Sequence, residues 1–176
     1  MGCWSVAKSR TVGLRRASYP LGLYPLGPMG YEIEVIEAPE QPTAVVALST
    51  TWPELPAHAG EAFDEVWAFV RREEGLRFDG HNVILYKDGQ PNVEIGVIVT
   101  ATFPAAGRVQ ASVLPAARVA RTVHRGGYDK LADAHQAVRE WCEAEGHEVL
   151  GPRWEIYGDW DDEHPELVET EVCWQL

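Results

Sequence analysis

The chain reads as an α+β fold made of duplicated ββαββ units, giving a curved eight-stranded antiparallel arrangement, two long helices and a central ligand cleft. Three observations predict it. Two stretches of three-and-four hydrophobic spacing are each flanked by runs of alternating residues, and each is bounded by Gly or Pro. The order strand, strand, helix, strand, strand occurs twice, over residues 31–102 and 108–176, with residues near 103–107 as the joint. At 176 residues and 45% hydrophobic composition, the chain can bury a core of its own.

The elements follow in order. Tyr31, Ile33 and Val35 alternate with Glu32 and Glu34, the period of a half-buried strand. A second strand runs through Val45, Val46, Ala47 and Leu48. Thr51-Trp52-Pro53-Glu54 has the form of a capping box with proline in the first turn, so a helix should follow. It carries Ala62, Phe63, Val66, Trp67, Phe69 and Val70 and should end near Gly75. Residues 81–86 and 93–102 then form a hairpin around Asp88-Gly89.

In the second unit, strands at 108–114 and 118–124 surround Pro115. Gly126-Gly127 opens a helix bearing Leu131, Ala134, His135, Val138, Trp141 and Cys142, which Gly146 ends. Residues 153–157 and 168–176 supply the last two strands. Residues 1–30 hold Lys8, Arg10, Arg15 and Arg16 with no acid and frequent Pro and Gly, and are expected to form a loosely ordered basic extension. The domain proper is residues 31–176.

Charge and composition exclude several functions. A net charge of −12 disfavours direct nucleic-acid contact, which depends on cationic side chains displacing counterions. The same acidity draws cations more readily than anions, although a solvated acidic surface explains it equally well. Three cysteines without CxxC spacing and six histidines without HxH or HExxH predict no disulfide framework, no metal and no cofactor. A reducing, cytoplasmic setting fits. No apolar run reaches the roughly 18 residues of a membrane helix, so no membrane partner is expected.

The candidate site lies near the C-terminal end. Gly151-Pro152-Arg153-Trp154-Glu155-Ile156-Tyr157 and Glu169-Thr170-Glu171-Val172-Cys173-Trp174 set carboxylates among large aromatic rings. Such a carboxylate either holds a flat or cationic ligand, or has its pKa raised until it moves protons. Strand alternation places Glu155 and Tyr157 on one face and Trp154 and Ile156 on the other. The competing reading of Glu155 is a surface carboxylate paired with Arg153. Trp67 and Trp141 occupy apolar helical positions and are read as core. Trp52, Trp154, Trp160 and Trp174 lie where a flat ligand can stack on them, with core packing as the other reading of each, and a buried Tyr86 hydroxyl needs a partner. Glu171 faces either a pocket or solvent. His124 ends a strand where a cleft would open.

Several separated stretches together resemble the GyrI-like small-molecule-binding family. They are Pro115-Ala116-Ala117-Arg118-Val119-Ala120-Arg121-Thr122-Val123-His124-Arg125-Gly126-Gly127-Tyr128, then Leu131, Ala134 and Trp141, then Gly151 to Tyr157, then Thr170-Glu171-Val172. The resemblance covers about residues 31–176. It implies a duplicated two-helix, eight-stranded fold with a central pocket, used in relatives for effector binding, toxin antagonism or hydrolysis of cyclopropane-containing DNA-alkylating antibiotics. The family glutamate of the penultimate strand falls on Glu155. Two departures stand out: residues 1–30 show no helix-turn-helix pattern, and Cys173-Trp174-Gln175 replaces the usual end of the last strand.

The expectation is a site with Glu155 and Tyr157 as catalytic candidates and Trp52, Tyr86, His124, Trp154, Glu171 and Trp174 as ligand-binding candidates. The resemblance implies that it hydrolyses a strained cyclopropane-bearing aromatic compound, Glu155 activating water and Tyr157 steadying the developing phenolate. The alternative is a binder that sequesters a planar or cationic aromatic drug. Either way the partner is a small aromatic molecule.

Overall fold

The computed structural model describes residues 28–76 and 80–176, so most of the expected basic extension lies outside the described residues. The elements are β1 (Glu34–Ala38), β2 (Gln41–Ser49), α1 (Leu55–Val70), β3 (Asn82–Tyr86), β4 (Asn92–Ile98), β5 (Val109–Leu114), β6 (Ala117–Arg125), α2 (Leu131–Glu145), β7 (Arg153–Tyr157) and β8 (Glu169–Gln175). All eight strands form one antiparallel sheet in the order β1-β6-β8-β7-β3-β4-β2-β5. The two ββαββ units therefore join at the second hairpin of each, through the β3–β7 pair.

This order forces the sheet to curl. β1 lies at one edge and β2 next to the other, six strand steps apart, yet only Pro39 and Glu40 connect them. A flat sheet would separate them by about 29 Å, at about 4.8 Å per strand. Two linking residues span only about 10 Å. The Pro115-Ala116 link between β5 and β6 imposes the same condition. Inside the curl a dry cluster forms from Val83, Leu85, Leu114, Val119, Trp154 and Cys173.

Both helices pack on the other face. α1 buries Ala62, Val66 and Phe69 against Val46, Ile95 and Val97. α2 buries Ala134, Ala137 and Val138 against Ala120 and Val172. α1 covers β2, β4 and β5, whereas α2 covers β6 and β8. The central strands β3 and β7 are left as an open floor between them.

Local chemistry departs from expectation at the start of α1. The Thr51 hydroxyl donates to the Glu54 carboxylate at 2.7 Å, so these two side chains satisfy each other and leave the backbone N–H groups uncapped by them. The helix starts at Leu55 with Pro56 in its first turn, three residues later than Pro53 suggested. α2 begins after a 3-10 turn over Tyr128–Lys130 and ends on Gly146, whose φ of 73° favours glycine. In β4, Gly96 lies against β2 so closely that a Cβ would sit 1.8 Å from the Ala44 carbonyl oxygen.

Candidate functional site

Alternation along β7 turns Arg153, Glu155 and Tyr157 towards the helix side, and alternation along β3 does the same for Asn82, Ile84 and Tyr86. The register sets Ile84 opposite Glu155 and Tyr86 opposite Arg153. These residues floor a cavity of about 850 Å³. Leu55, Pro56, Ala59, Gly60 and Phe63 from α1 form one wall, and Leu131, Ala132, His135, Gln136 and Arg139 from α2 form the other. The three-and-four spacing within each set is what lets one helix stripe serve as a wall. Tyr128, Trp52 and Trp174 complete the lining.

Glu155 is 3% exposed at the centre of the floor. Its Oε2 accepts hydrogen bonds from the Tyr86 hydroxyl at 3.2 Å and from the Tyr157 hydroxyl, and its Oε1 meets His135 Nε2 at 2.6 Å. The Trp174 indole N–H, which can only donate, points at His135 Nδ1 at 3.0 Å. Nδ1 is therefore the unprotonated nitrogen, and Nε2–H donates to Glu155. All three hydrogen-bond donors to the carboxylate are thus neutral. Burial, and then the negative charge of Glu155, push the Tyr86 and Tyr157 hydroxyls well above the usual phenol range, so both stay protonated donors at neutral pH.

The competing reading of Glu155, a surface carboxylate paired with an arginine such as Arg153, does not hold: Glu155 is buried, and its hydrogen bonds come from Tyr86, His135 and Tyr157. The Arg153 guanidinium lies 4.8 Å from the Tyr86 ring centroid, 5.1 Å from Trp174 and 5.8 Å from Trp52, and its Nη1 donates to the Asp88 carbonyl at 3.3 Å. Burial pulls its pKa below the usual guanidinium value. Tyr128 packs edge-on against Tyr157 at 5.3 Å and lies tilted against Trp160 at 5.4 Å.

Among the sequence candidates, the fold brings Glu155, Tyr157, Tyr86, Trp52 and Trp174 around one cavity. Three others lie outside its lining. Trp154 is 2% exposed on the opposite sheet face, inside the curl, because its parity along β7 is the reverse of Glu155. His124 is held between the Tyr31 hydroxyl at 2.8 Å and the Gly127 carbonyl at 3.0 Å, so both ring nitrogens are occupied away from the cavity. Glu171 pairs with Arg121 at 2.9 Å and does not line the cavity, since Trp174 takes that face of β8.

His135 was readable only as a polar interruption of the α2 apolar stripe, four residues after Leu131. Arg153 was visible only as a partner for Glu155. Among the described residues no group of three or more His, Cys, Asp or Glu converges as metal ligands. No described helix is long and apolar enough to cross a membrane.

Residues 31–176 match the GyrI-like small molecule binding domain family. No curated protein matches the chain. Among solved structures, the chain is similar to EcmrR in its DNA complex (20% identity, TM-score 0.71), where the match covers 82% of this chain but only 57% of the EcmrR chain. It is also similar to the isolated EcmrR C-terminal domain (22% identity, TM-score 0.67, 84% of this chain and 98% of that one). A third similar structure is SAV2435 bound to tetraphenylphosphonium (13% identity, TM-score 0.61, 82% and 93%). At these identities the structures share the fold. Over residues 31–176, the chain belongs to the GyrI-like small-molecule-binding domain family.

Proposed function

We propose that the cavity binds a lipophilic aromatic cation whose charge is permanent or delocalised. The observation that carries this is the Glu155 carboxylate, buried on the floor of an aromatic cavity and hydrogen-bonded only by neutral donors. A carboxylate there exerts its Coulomb field in a poorly screened space. Three donors already occupy most of its lone pairs, so a ligand whose cation bears N–H groups gains little by competing for them. A phosphonium, a quaternary ammonium or a delocalised dye needs no such bond and is attracted by charge and by aromatic faces. The tetraphenylphosphonium bound by SAV2435 has this chemistry. A cytoplasmic setting fits the buried free thiols of Cys142 and Cys173.

Hydrolysis is the second reading, with Glu155 as proton acceptor from water and Tyr157 as donor to a developing oxyanion. It needs a water to share Oε1 with His135, because Oε2 already accepts two hydroxyls.

Calorimetry with tetraphenylphosphonium and with neutral triphenylphosphine oxide tests the binding reading. The wild type is expected to prefer the cation, and Glu155→Gln to lose about 3 kcal/mol of cation affinity, roughly a hundredfold, with little change for the neutral probe. Equal affinities for the two probes in the wild type would overturn it. Mass spectrometry of a spirocyclopropyl-dienone incubated with the protein reads out hydrolysis: a gain of one water that depends on Glu155 establishes turnover.

A further inference from the structure

The aromatic faces at one end of the cavity are already occupied by a cation of the chain's own. Arg153 lies over Trp52, Tyr86 and Trp174 at 5.8, 4.8 and 5.1 Å from their ring centroids. Trp52 and Tyr86 are themselves stacked at 6.0 Å. Without Arg153, this would be a cage suited to a ligand cation. Among the described residues, the only protein acceptor for the guanidinium is the Asp88 carbonyl, reached by Nη1 at 3.3 Å. The remaining N–H groups of a half-buried side chain that lines the cavity are left without a protein partner.

Arg153 and Glu155 are two residues apart on the same face of β7, so their backbone positions are about 7 Å apart along the strand. The floor therefore presents an anion and a cation from the same face of one strand. We infer that Arg153 is the specificity determinant of this cavity, selecting ligands that carry one cationic centre and, beyond it, an oxygen acceptor such as a carboxylate or carbonyl, and rejecting dications. The inference rests on the cation-binding reading of Glu155 and names what the other end of the ligand must be. A planar, bidentate acceptor matches the guanidinium fork, whereas a second cation placed there meets like charge over rings already covered.

Three probes with the same four-carbon chain test it: butyltrimethylammonium, tetramethylene-bis(trimethylammonium), and trimethylammonio-valerate, whose far end is a carboxylate. Affinities are measured by titration followed by tryptophan fluorescence and NMR, on the full chain and on Arg153→Gln, Arg153→Lys and Glu155→Gln. The wild type is expected to bind the carboxylate-ended probe at least roughly tenfold more tightly than the bis-cation, as expected for opposite versus like charge beside a poorly screened guanidinium. Arg153→Gln should collapse that ratio to within about threefold, and Arg153→Lys, which keeps the charge, should retain most of the discrimination against the bis-cation.

A wild-type ratio that survives in Arg153→Gln, or is lost equally in Arg153→Lys, overturns the role of Arg153. Glu155→Gln separates the two levels. If Glu155→Gln weakens every cationic probe while Arg153→Gln leaves the wild-type ratio unchanged, the specificity assignment alone is wrong. If Glu155→Gln binds them as well as the wild type, the cation reading falls and the specificity assignment falls with it; if the wild type binds none of the three at millimolar concentration, the specificity assignment falls, and tetraphenylphosphonium binding decides the cation reading.

Discussion

The Trp174 indole N–H donates to Nδ1 of His135 at 3.0 Å, and this one contact decides what His135 does to Glu155. With Nδ1 required as an acceptor, the ring presents Nε2–H to the carboxylate. A β8 residue thus holds the far nitrogen of an α2 ring that positions a β7 carboxylate.

Replacing Trp174 with Phe keeps an aromatic wall and removes the N–H. Nitrogen-15 NMR of the His135 ring should show Nε2–H with a hydrogen-bonded, unprotonated Nδ1 in the wild type, and loss of the hydrogen-bond shift at Nδ1 in Trp174→Phe. The variant should also lose about 1 kcal/mol of stability, the net value of a hydrogen bond of this kind. An unchanged Nδ1 signal would show that the Trp174 N–H does not hold the ring.

Tyr86 and Tyr157 should make the fold sensitive to alkali. Their folded-state pKa values lie above the ordinary phenol value of 10.0 because of burial and then the Glu155 charge. Above pH 10 the unfolded chain loses these protons while the folded one keeps them, so stability is complete below the unfolded value and falls as pH rises past it. Each tyrosine contributes a slope of about 1.4 kcal/mol per pH unit. Urea unfolding between pH 9 and 11 should therefore show a steep loss for the wild type and a shallower one for Tyr86→Phe. At pH 7 the same variant should lose about 1–3 kcal/mol by depriving a buried carboxylate of a donor.

Gly60 lies on the α1 wall, and a Cβ built there meets nothing within 4 Å. Gly60→Ala should stabilise the protein by about 0.5–1 kcal/mol, because glycine is a poor residue for a helix interior. Gly60→Leu should leave the thermal midpoint near that of the wild type while cutting affinity for tetraphenylphosphonium at least about tenfold, since the added side chain enters the cavity. Unchanged affinity in Gly60→Leu would place the ligand elsewhere.

Gly96 behaves oppositely. Its missing side chain is where the β2 backbone passes, so Gly96→Ala must displace strands that pair across the sheet centre of the first unit. A loss of about 3 kcal/mol, the upper range for overpacking, is expected in chemical unfolding. A loss below about 1 kcal/mol would mean that β2 and β4 separate readily.

The ββαββ repeat, the alternation that sets Glu155 and Tyr157 opposite Trp154, and the apolar stripes of both helices were legible in the sequence. They depend on periods of two and of three to four residues, and a side chain's parity is fixed by its immediate neighbours. The boundaries shifted where local chemistry competed, as at Thr51 and Glu54, whose side chains bond each other and let α1 begin at Leu55.

What joins distant segments had no local signature. The β3–β7 pairing that sets Tyr86 opposite Arg153, and the curl that seals Trp154 inside, follow from strand order and connection length across the whole domain. The same holds for His124, which the position of Tyr31, 93 residues away, turns from a cleft residue into a structural tie. It holds for His135 too, which became a site residue only once α2 was docked beside β7 and β8. Sequence periodicity determined which face each side chain takes. Tertiary packing decided which faces meet, because that choice depends on burying two helices and a curled sheet together, a condition no single segment contains.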